Sequence, residues 1–397
     1  MKTTDRRILI LYAKFGDGHY QAAQALKRGF EETGLARAVL FDPFGEAYPT
    51  LNRWCQAVYY FSTSHLPAAY GFGYSLTDRI PSSSPVGEWL HSLGSAKLAG
   101  MLNRLQPDAV VQTFPLLAMS HLRRRTGLRL PTFTVLTDYV PHSRWIHEET
   151  DRYFVATEEL GRQLADAGAR EEAIRVSGIP IRRAFIGGAL RDRIKEREAA
   201  ERAGKFVLVM AGAYGVSGEA GMLTRELLKR EDCSVLLVCG KNAKLEQQMR
   251  ARFARESKVR VFGFVERIDR LMAKASCMIT KAGGITLSEA ASIGLPVVVY
   301  RPIPGQEHGN ALYWERQGKL TIARDPDELL EQTARWLAAS GEDAPGRASG
   351  RGLPSATEVI ADEILAYLER SAAPSLELIP RPGRRNWLKA LLHPNGI

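Results

Sequence analysis

ITKAGGITLSEAASIGLPVVVYRPIPGQEHGN, residues 279–310, alternates strand, turn and helix twice within one short span. An apolar strand over Ser276 to Ile279 runs into a turn at Gly283 and Gly284. Thr286 and Ser288 then open an amphipathic helix, which Gly294 stops before a second strand, Pro296 to Tyr300. Adjacent glycines let backbone approach a ligand closely. The helix that follows aims free N–H groups and a partial positive charge at the same place, so Gly283, Gly284, Ile285 and Thr286 make a seat for a phosphate. Glu289, early in that helix, is placed to accept hydrogen bonds from neighbouring sugar hydroxyls. Gln306, Glu307 and Asn310, beside the next turn, are a polar trio suited to a polyol. A strand–turn–helix unit with a solvated helix face would share the first of these features but not the whole series. The series points to a nucleotide sugar bound at the carboxyl end of a parallel strand.

The same grammar extends in both directions. Apolar runs at 206–212, 233–240, 258–264, 276–281 and 296–300 alternate with helical segments, the pattern of a parallel sheet covered on both faces. MAGAYGVSG (210–218) is a second glycine-punctuated strand-to-helix junction, and its Gly212, Ala213, Tyr214 and Gly215 are further candidates for the diphosphate. Upstream, another set of strands falls at 6–12, 37–41, 107–112, 131–136, 152–156 and 174–177. The expected architecture is α/β: two Rossmann-like, doubly wound domains with a cleft between them. The first covers 1–186 and binds the acceptor. A charge-rich linker covers 187–204, and the second domain, 205–354, binds the donor. A helix over 355–370 closes that second domain, and a basic tail spans 371–397.

The chain has 397 residues, 45% hydrophobic and 25% charged, with mean hydropathy −0.19. That is a water-soluble composition with ample core. No apolar run reaches the roughly 20 residues needed to cross a bilayer, and the amino terminus enters a strand without a signal peptide. Four scattered cysteines, 55, 233, 239 and 277, have neither disulfide nor metal-ligand spacing and read as reduced thiols. The net charge of +10 attracts polyanions in general. No nucleic-acid motif accompanies it, so nucleic acid is not the expected partner, and nothing in the sequence fixes an oligomeric state.

Three regions bear on the acceptor. The loop AKFGDGH (13–19) ends the first strand, placing Gly18 and His19 over the cleft. Imidazole titrates near neutrality, so His19 is a candidate proton acceptor, with capping of the next helix as the bland alternative. Asp138, at the end of strand 131–137, could orient His19, bind the acceptor or cap a turn. Residues 43–95 are rich in aromatics, among them Trp54, Tyr59, Phe61, Tyr70, Phe72 and Trp89. They would form either ordinary core or an apolar groove for a lipid-like acceptor. In the tail, Arg381, Arg384, Arg385 and Lys389 flank Trp387, Leu388, Leu391 and Leu392, a combination suited to an anionic membrane surface or to a frayed end. Asp325-Pro326-Asp327 has the form of a metal-binding Asp-x-Asp but sits where a helix starts, and capping explains it better.

These blocks resemble the GT-B glycosyltransferases. More narrowly, they resemble the bacterial processive diacylglycerol glucosyltransferases of glycosyltransferase family 28, relatives of plant monogalactosyldiacylglycerol synthases. The residues that carry the resemblance are ILYAKFGDGH (10–19), HLRRRTG (121–127), PTFTVLTDY (131–139), Trp145-Ile146-His147, VATEEL (155–160), GIPIR (178–182), MAGAYGV (210–216), VCGKN (238–242), GFVERID (263–269), CMITKAGGITLSEA (277–290) and PGQE (304–307). Ala282 departs from the family's frequent proline, and Lys14 stands where the plant synthases carry Asp, which favours the glucosyl branch. The resemblance implies transfer of glucose from UDP-glucose to diacylglycerol with inversion, repeated on the product, at the cytoplasmic face of the cell membrane, with no metal or other cofactor. It further implies that the backbone of Phe264 and Val265 reads uracil, Glu289 the ribose, and Gln306 with Glu307 the hexose, while Tyr139 and Trp145 touch the acceptor. A lipid-linked N-acetylglucosaminyltransferase, a galactosyldiacylglycerol synthase, a UDP-sugar 2-epimerase and a silent sugar-nucleotide sensor are the alternatives.

Overall fold

The computed structural model describes residues 5–14, 17–78, 84–115, 118–186, 189–193, 195–196, 199, 204–211, 218–339 and 355–371. Two six-stranded sheets result. The first contains β1 (Arg6–Leu11), β2 (Ala36–Phe41), β3 (Ala109–Gln112), β4 (Thr132–Val135), β5 (Arg152–Val155) and β6 (Ile174–Val176) in the order β2-β1-β3-β4-β5-β6. The second contains β7 (Phe206–Met210), β8 (Ser234–Val238), β9 (Val259–Phe262), β10 (Cys277–Thr280), β11 (Val297–Tyr300) and β12 (Leu320–Ala323) in the order β12-β11-β10-β7-β8-β9. Every pairing is parallel. Strands such as RRILIL and FVLVM lack polar alternation because helices cover both faces of a parallel sheet.

Strand order positions the chemistry. The chain leaves β1 for β2 on one side, then crosses back to β3 on the other, so a crevice opens at the carboxyl ends of β1 and β3. The second sheet reverses in the same way between β7 and β10. GDGH follows β1, MAGAYGV begins at the end of β7 and KAGG follows β10. All three loops therefore emerge at a reversal point.

The carboxy-terminal helix departs from expectation. It is present, Ala356–Arg370, but it does not close the second domain. Its Ile360, Ile364 and Leu368 pack with Ile8, Ile10 and Phe133 of the first sheet and with Phe30 of the helix Gly18–Glu32. Gly29 permits the approach, since a Cβ there would overlap the Thr357 methyl. Its apolar face is not covered by the helices of the second domain, so the chain returns across the cleft to bury it. Within 187–204, residues 189–193, 195–196 and 199 are helical, and Leu190 packs on the second domain. The basic tail beyond Ser371 lies outside the described residues.

The described residues of 43–95 are mostly helical and include Pro49–His65 and Pro67–Asp78, which pack as a hairpin. Trp54 is 68% exposed and Phe72 72% exposed, with Val58, Phe61, Leu66 and Leu76 also open to solvent. Core packing therefore does not account for this region.

Candidate active site

His19 lies in the first turn of the helix Gly18–Glu32, at the reversal point of the first sheet. Its Nδ1 is 2.7 Å from the Thr113 carbonyl oxygen and 3.0 Å from Thr137 Oγ1. A carbonyl only accepts, so Nδ1 carries the proton and Nε2 keeps its lone pair. The ring edge packs on Phe114 at 4.8 Å between centroids. Burial holds the imidazole below its ordinary value, against the opposing pull of Asp138. A neutral base with a fixed tautomer results.

Thr137 and Asp138 follow β4 and carry the first domain to the second. A Cβ at Gly284 would overlap the Thr137 carbonyl oxygen. This glycine therefore serves domain contact, and Gly283, at φ −72°, uses an ordinary backbone conformation. Only Gly283 of the pair faces open space, with its nearest neighbour Thr286 Oγ1 at 3.9 Å from a Cβ built there. Asp138 is buried and accepts hydrogen bonds from Gln306 Nε2 and Asn310 Nδ2, both at 2.9 Å. It acts on His19 through charge, while its hydrogen bonds go across the cleft. Burial raises its carboxyl above the usual range.

Several expected ligand contacts are spoken for. Asn310 is fully buried, donating to Asp138 and the Ala282 carbonyl and accepting from Tyr139 N at 2.7 Å. It is an interdomain strut, not a sugar contact. The Tyr139 phenol hydrogen-bonds Ser288 Oγ at 2.7 Å and its ring stacks on Tyr313 at 4.6 Å, which places it in the domain seam, not the acceptor path. Ile285 joins that seam with Ala22, Tyr139 and Ile179. Trp145 is wholly buried among Leu136, Tyr153 and Leu160, so it supports the wall behind His19 and does not meet the acceptor. Its apolar bulk is what burial selects, and sequence alone does not distinguish that from a lipid contact.

Both acidic residues assigned to sugar hydroxyls have cationic partners. Glu289 is fully buried and accepts a bidentate contact from Arg182, from Nε at 2.6 Å and from Nη2. Glu307 pairs with Lys281 at 2.8 Å. Neutralised carboxylates can stand beside a diphosphate without repelling it. Arg182 and Lys281 were not singled out from the sequence, although GIPIR and ITKAGG contain them. Phe264 is exposed, Val265 half-buried, and Gly18 open. Lys241 reaches Asp17, one residue before Gly18, at 2.8 Å across the cleft. Gly212, Ala213, Tyr214 and Gly215 lie outside the described residues. Asp325 caps its helix by accepting from Glu328 N at 2.9 Å, and Asp327 faces Arg230. Among the described residues no cluster of three or more His, Cys, Asp or Glu is arranged to hold a metal.

Two doubly wound domains whose reversal points face each other, with a neutral histidine opposite a helix amino terminus, define a GT-B glycosyltransferase. The family described as "Monogalactosyldiacylglycerol (MGDG) synthase" matches residues 19–181, and "Glycosyltransferase family 28 C-terminal domain" matches 212–342. The processive diacylglycerol beta-glucosyltransferases of Bacillus thuringiensis (strain Al Hakam) and Bacillus cereus (strain AH187) are each 38% identical over 332 residues, 83% of this chain and 85% of theirs. The chain belongs to this family of diacylglycerol glucosyltransferases. Among solved structures, Acinetobacter baumannii MurG superposes with TM-score 0.58 at 15% identity, over 91% of this chain and 99% of that one. Neisseria meningitidis UDP-GlcNAc 2-epimerase bound to UDP-GlcNAc gives 0.58 at 14%, over 91% and 100%. At such identities these two speak to the fold alone.

Proposed function

We propose that this enzyme transfers glucose from UDP-glucose to the free hydroxyl of diacylglycerol with inversion, and then to the resulting glucolipid. The observation that carries the reading is His19, with Nε2 unprotonated, one residue contact (Thr137) away from the Gly283–Gly284 helix terminus. In the step, Nε2 takes the proton of the acceptor hydroxyl as its oxygen bonds the anomeric carbon. The bond from that carbon to the diphosphate breaks on the opposite face, and UDP leaves with the electron pair. Backbone N–H groups at Gly284 to Thr286 receive the developing charge, aided by the Gly212–Val216 loop. Glu289 with Arg182 meets the ribose, Phe264 and Val265 the uracil, and Gln306 with Glu307 the hexose. Gln306 exchanges its Asp138 bond for a sugar hydroxyl. This arrangement requires no metal.

No described helix is long and apolar enough to cross a membrane. The hairpin of Pro49–His65 and Pro67–Asp78 has no Asp, Glu, Lys or Arg between Arg53 and Asp78. Its exposed Trp54, Phe61, Phe72 and Leu76 suit a lipid surface. The enzyme would work as a peripheral protein on the cytoplasmic face, with the net charge of +10 favouring anionic lipid.

The test supplies labelled UDP-glucose, UDP-galactose or UDP-N-acetylglucosamine with diacylglycerol vesicles, with and without EDTA. β-Glucosyl lipids from UDP-glucose alone, unaffected by EDTA, are expected. An N-acetylglucosaminyl or galactosyl product would reassign the donor. Conversion without vesicles would indicate epimerisation, and tight UDP-glucose binding with no turnover a sensor.

A further inference from the structure

The same apolar hairpin reaches the donor sugar site. Tyr59 and Tyr70, one from each of its helices, meet edge to face at 5.6 Å between ring centroids. The next residue, Gly71, lies so close to the second domain that a Cβ there would sit 2.5 Å from Pro304 Cβ. Pro304 opens the PGQE turn, so the first domain's lipid-facing helices touch the loop that sets Gln306 and Glu307. Glu307 uses Oε1 on Lys281, while its Oε2 is buried with no hydrogen-bond partner. A buried carboxylate oxygen without a donor is costly, and a hexose hydroxyl would satisfy it. Tyr70 is half-buried, and burial first, then Tyr59, Glu307 and Asp138, raise its phenol above the ordinary range against the opposing pull of Lys281. Burial pulls the Lys281 ammonium down, but Glu307, Tyr59 and Tyr70 hold it above its ordinary range. The contact of Gly71 with Pro304 thus brings the Tyr59–Tyr70 pair of the first domain beside the turn that carries Glu307 and its unsatisfied oxygen.

We propose that Tyr70, backed by Tyr59, is a positioning residue for the donor hexose. It walls the Lys281–Glu307 pair from the acceptor side, so that the lipid-facing hairpin completes the hexose pocket. The inference rests on the reading of Gln306 and Glu307 as hexose contacts. A consequence is that the sugar, and not the nucleotide, senses whether the hairpin is seated against the Pro304 turn.

The experiment measures dissociation constants of UDP-glucose and of UDP by calorimetry for the full chain, Tyr70→Phe and Gly71→Ala, alongside lipid glucosylation. Tyr70→Phe keeps the ring on Tyr59 but removes the hydroxyl. It should weaken UDP-glucose roughly tenfold, the effect of one hydrogen bond, and leave UDP unchanged. Gly71→Ala should produce the same selective loss by lifting the hairpin off Pro304. It carries the test alone if Tyr70→Phe fails to fold, as judged by circular dichroism. Parental binding of both ligands by the folded variants would overturn the inference. So would equal weakening of UDP and UDP-glucose, which would mean that the tyrosine only supports domain packing. Binding constants read the pocket without turnover, so a protein that transfers no glucose would refute the proposed function and still decide this point.

Discussion

His19 shows how much one side chain depends on its neighbours. A histidine after a first strand could have capped its helix, and the residue types alone permit that. Asp17 at the cap position makes no side-chain cap bond, and the imidazole turns to the Thr113 carbonyl. Replacing His19 by Ala should reduce kcat by about 10²–10⁴-fold, the usual share of a general base, with UDP affinity unchanged in calorimetry. Because burial lowers its pKa, the base is unprotonated through neutrality. The acid limb of the kcat profile should then lie below the ordinary imidazole value of 6.5. A limb at or above that value would contradict the role. At this scale the candidate residues were legible in the sequence, but their partners were not. Asn310, Tyr139 and Trp145 are polar or aromatic residues near a cleft, and their patterns do not say whether they face the ligand or the opposite domain. The meeting of Asp138 with Asn310 shows that the amide of Asn310 is engaged by the opposite domain.

Among elements, β1 to β11 were legible to within two residues, because each is a short run of β-branched and apolar side chains bounded by turn formers, whereas β12 (Leu320–Ala323) was not foreseen. The helix Gly284–Ser292 was legible too, but the purpose of its glycines was not. Gly-Gly suggested room for a phosphate, whereas the second glycine admits the Thr137 backbone. Gly284→Ala should therefore leave each domain folded and still spoil their junction. Activity should fall at least tenfold, while the melting transition of the protein moves by only a few degrees. A variant with parental turnover would show that the seam tolerates a methyl group there. The helix Ala356–Arg370 was expected from the sequence, but no local pattern states which of two similar sheets it will cover. The aromatic hairpin was ambiguous for a related reason, since core and lipid surfaces select the same side chains.

For the whole molecule, acid should be damaging. Burial depresses the imidazoles of His19, His91 and His121, that of His91 to about 3, where His147, Arg144 and Arg124 add to the effect. An unfolded chain protonates these groups near 6.5, so it binds more protons than the folded one below that pH. Stability is thus complete above 6.5 and is lost as pH falls towards the depressed values. At pH 4.5, His91 alone would account for about 2–3 kcal/mol. Buried Asp138, raised by its surroundings, works in the opposite sense and offsets part of this. Scanning calorimetry from pH 7.5 to 4.5 should show a falling melting temperature, with a shallower fall in His91→Gln. An equal slope in that variant would remove His91 from the account.

The return of Ala356–Arg370 to the first sheet also bears on the order of synthesis. Ile360, Ile364 and Leu368 leave the ribosome after every strand of both sheets has been made. The amino-terminal half therefore waits, with the faces of Ile8, Phe30 and Phe133 uncovered, while the later half already has its own interior. On vectorial translation the second-made domain has all its described strands before the last described helix emerges to seal the domain that began the chain.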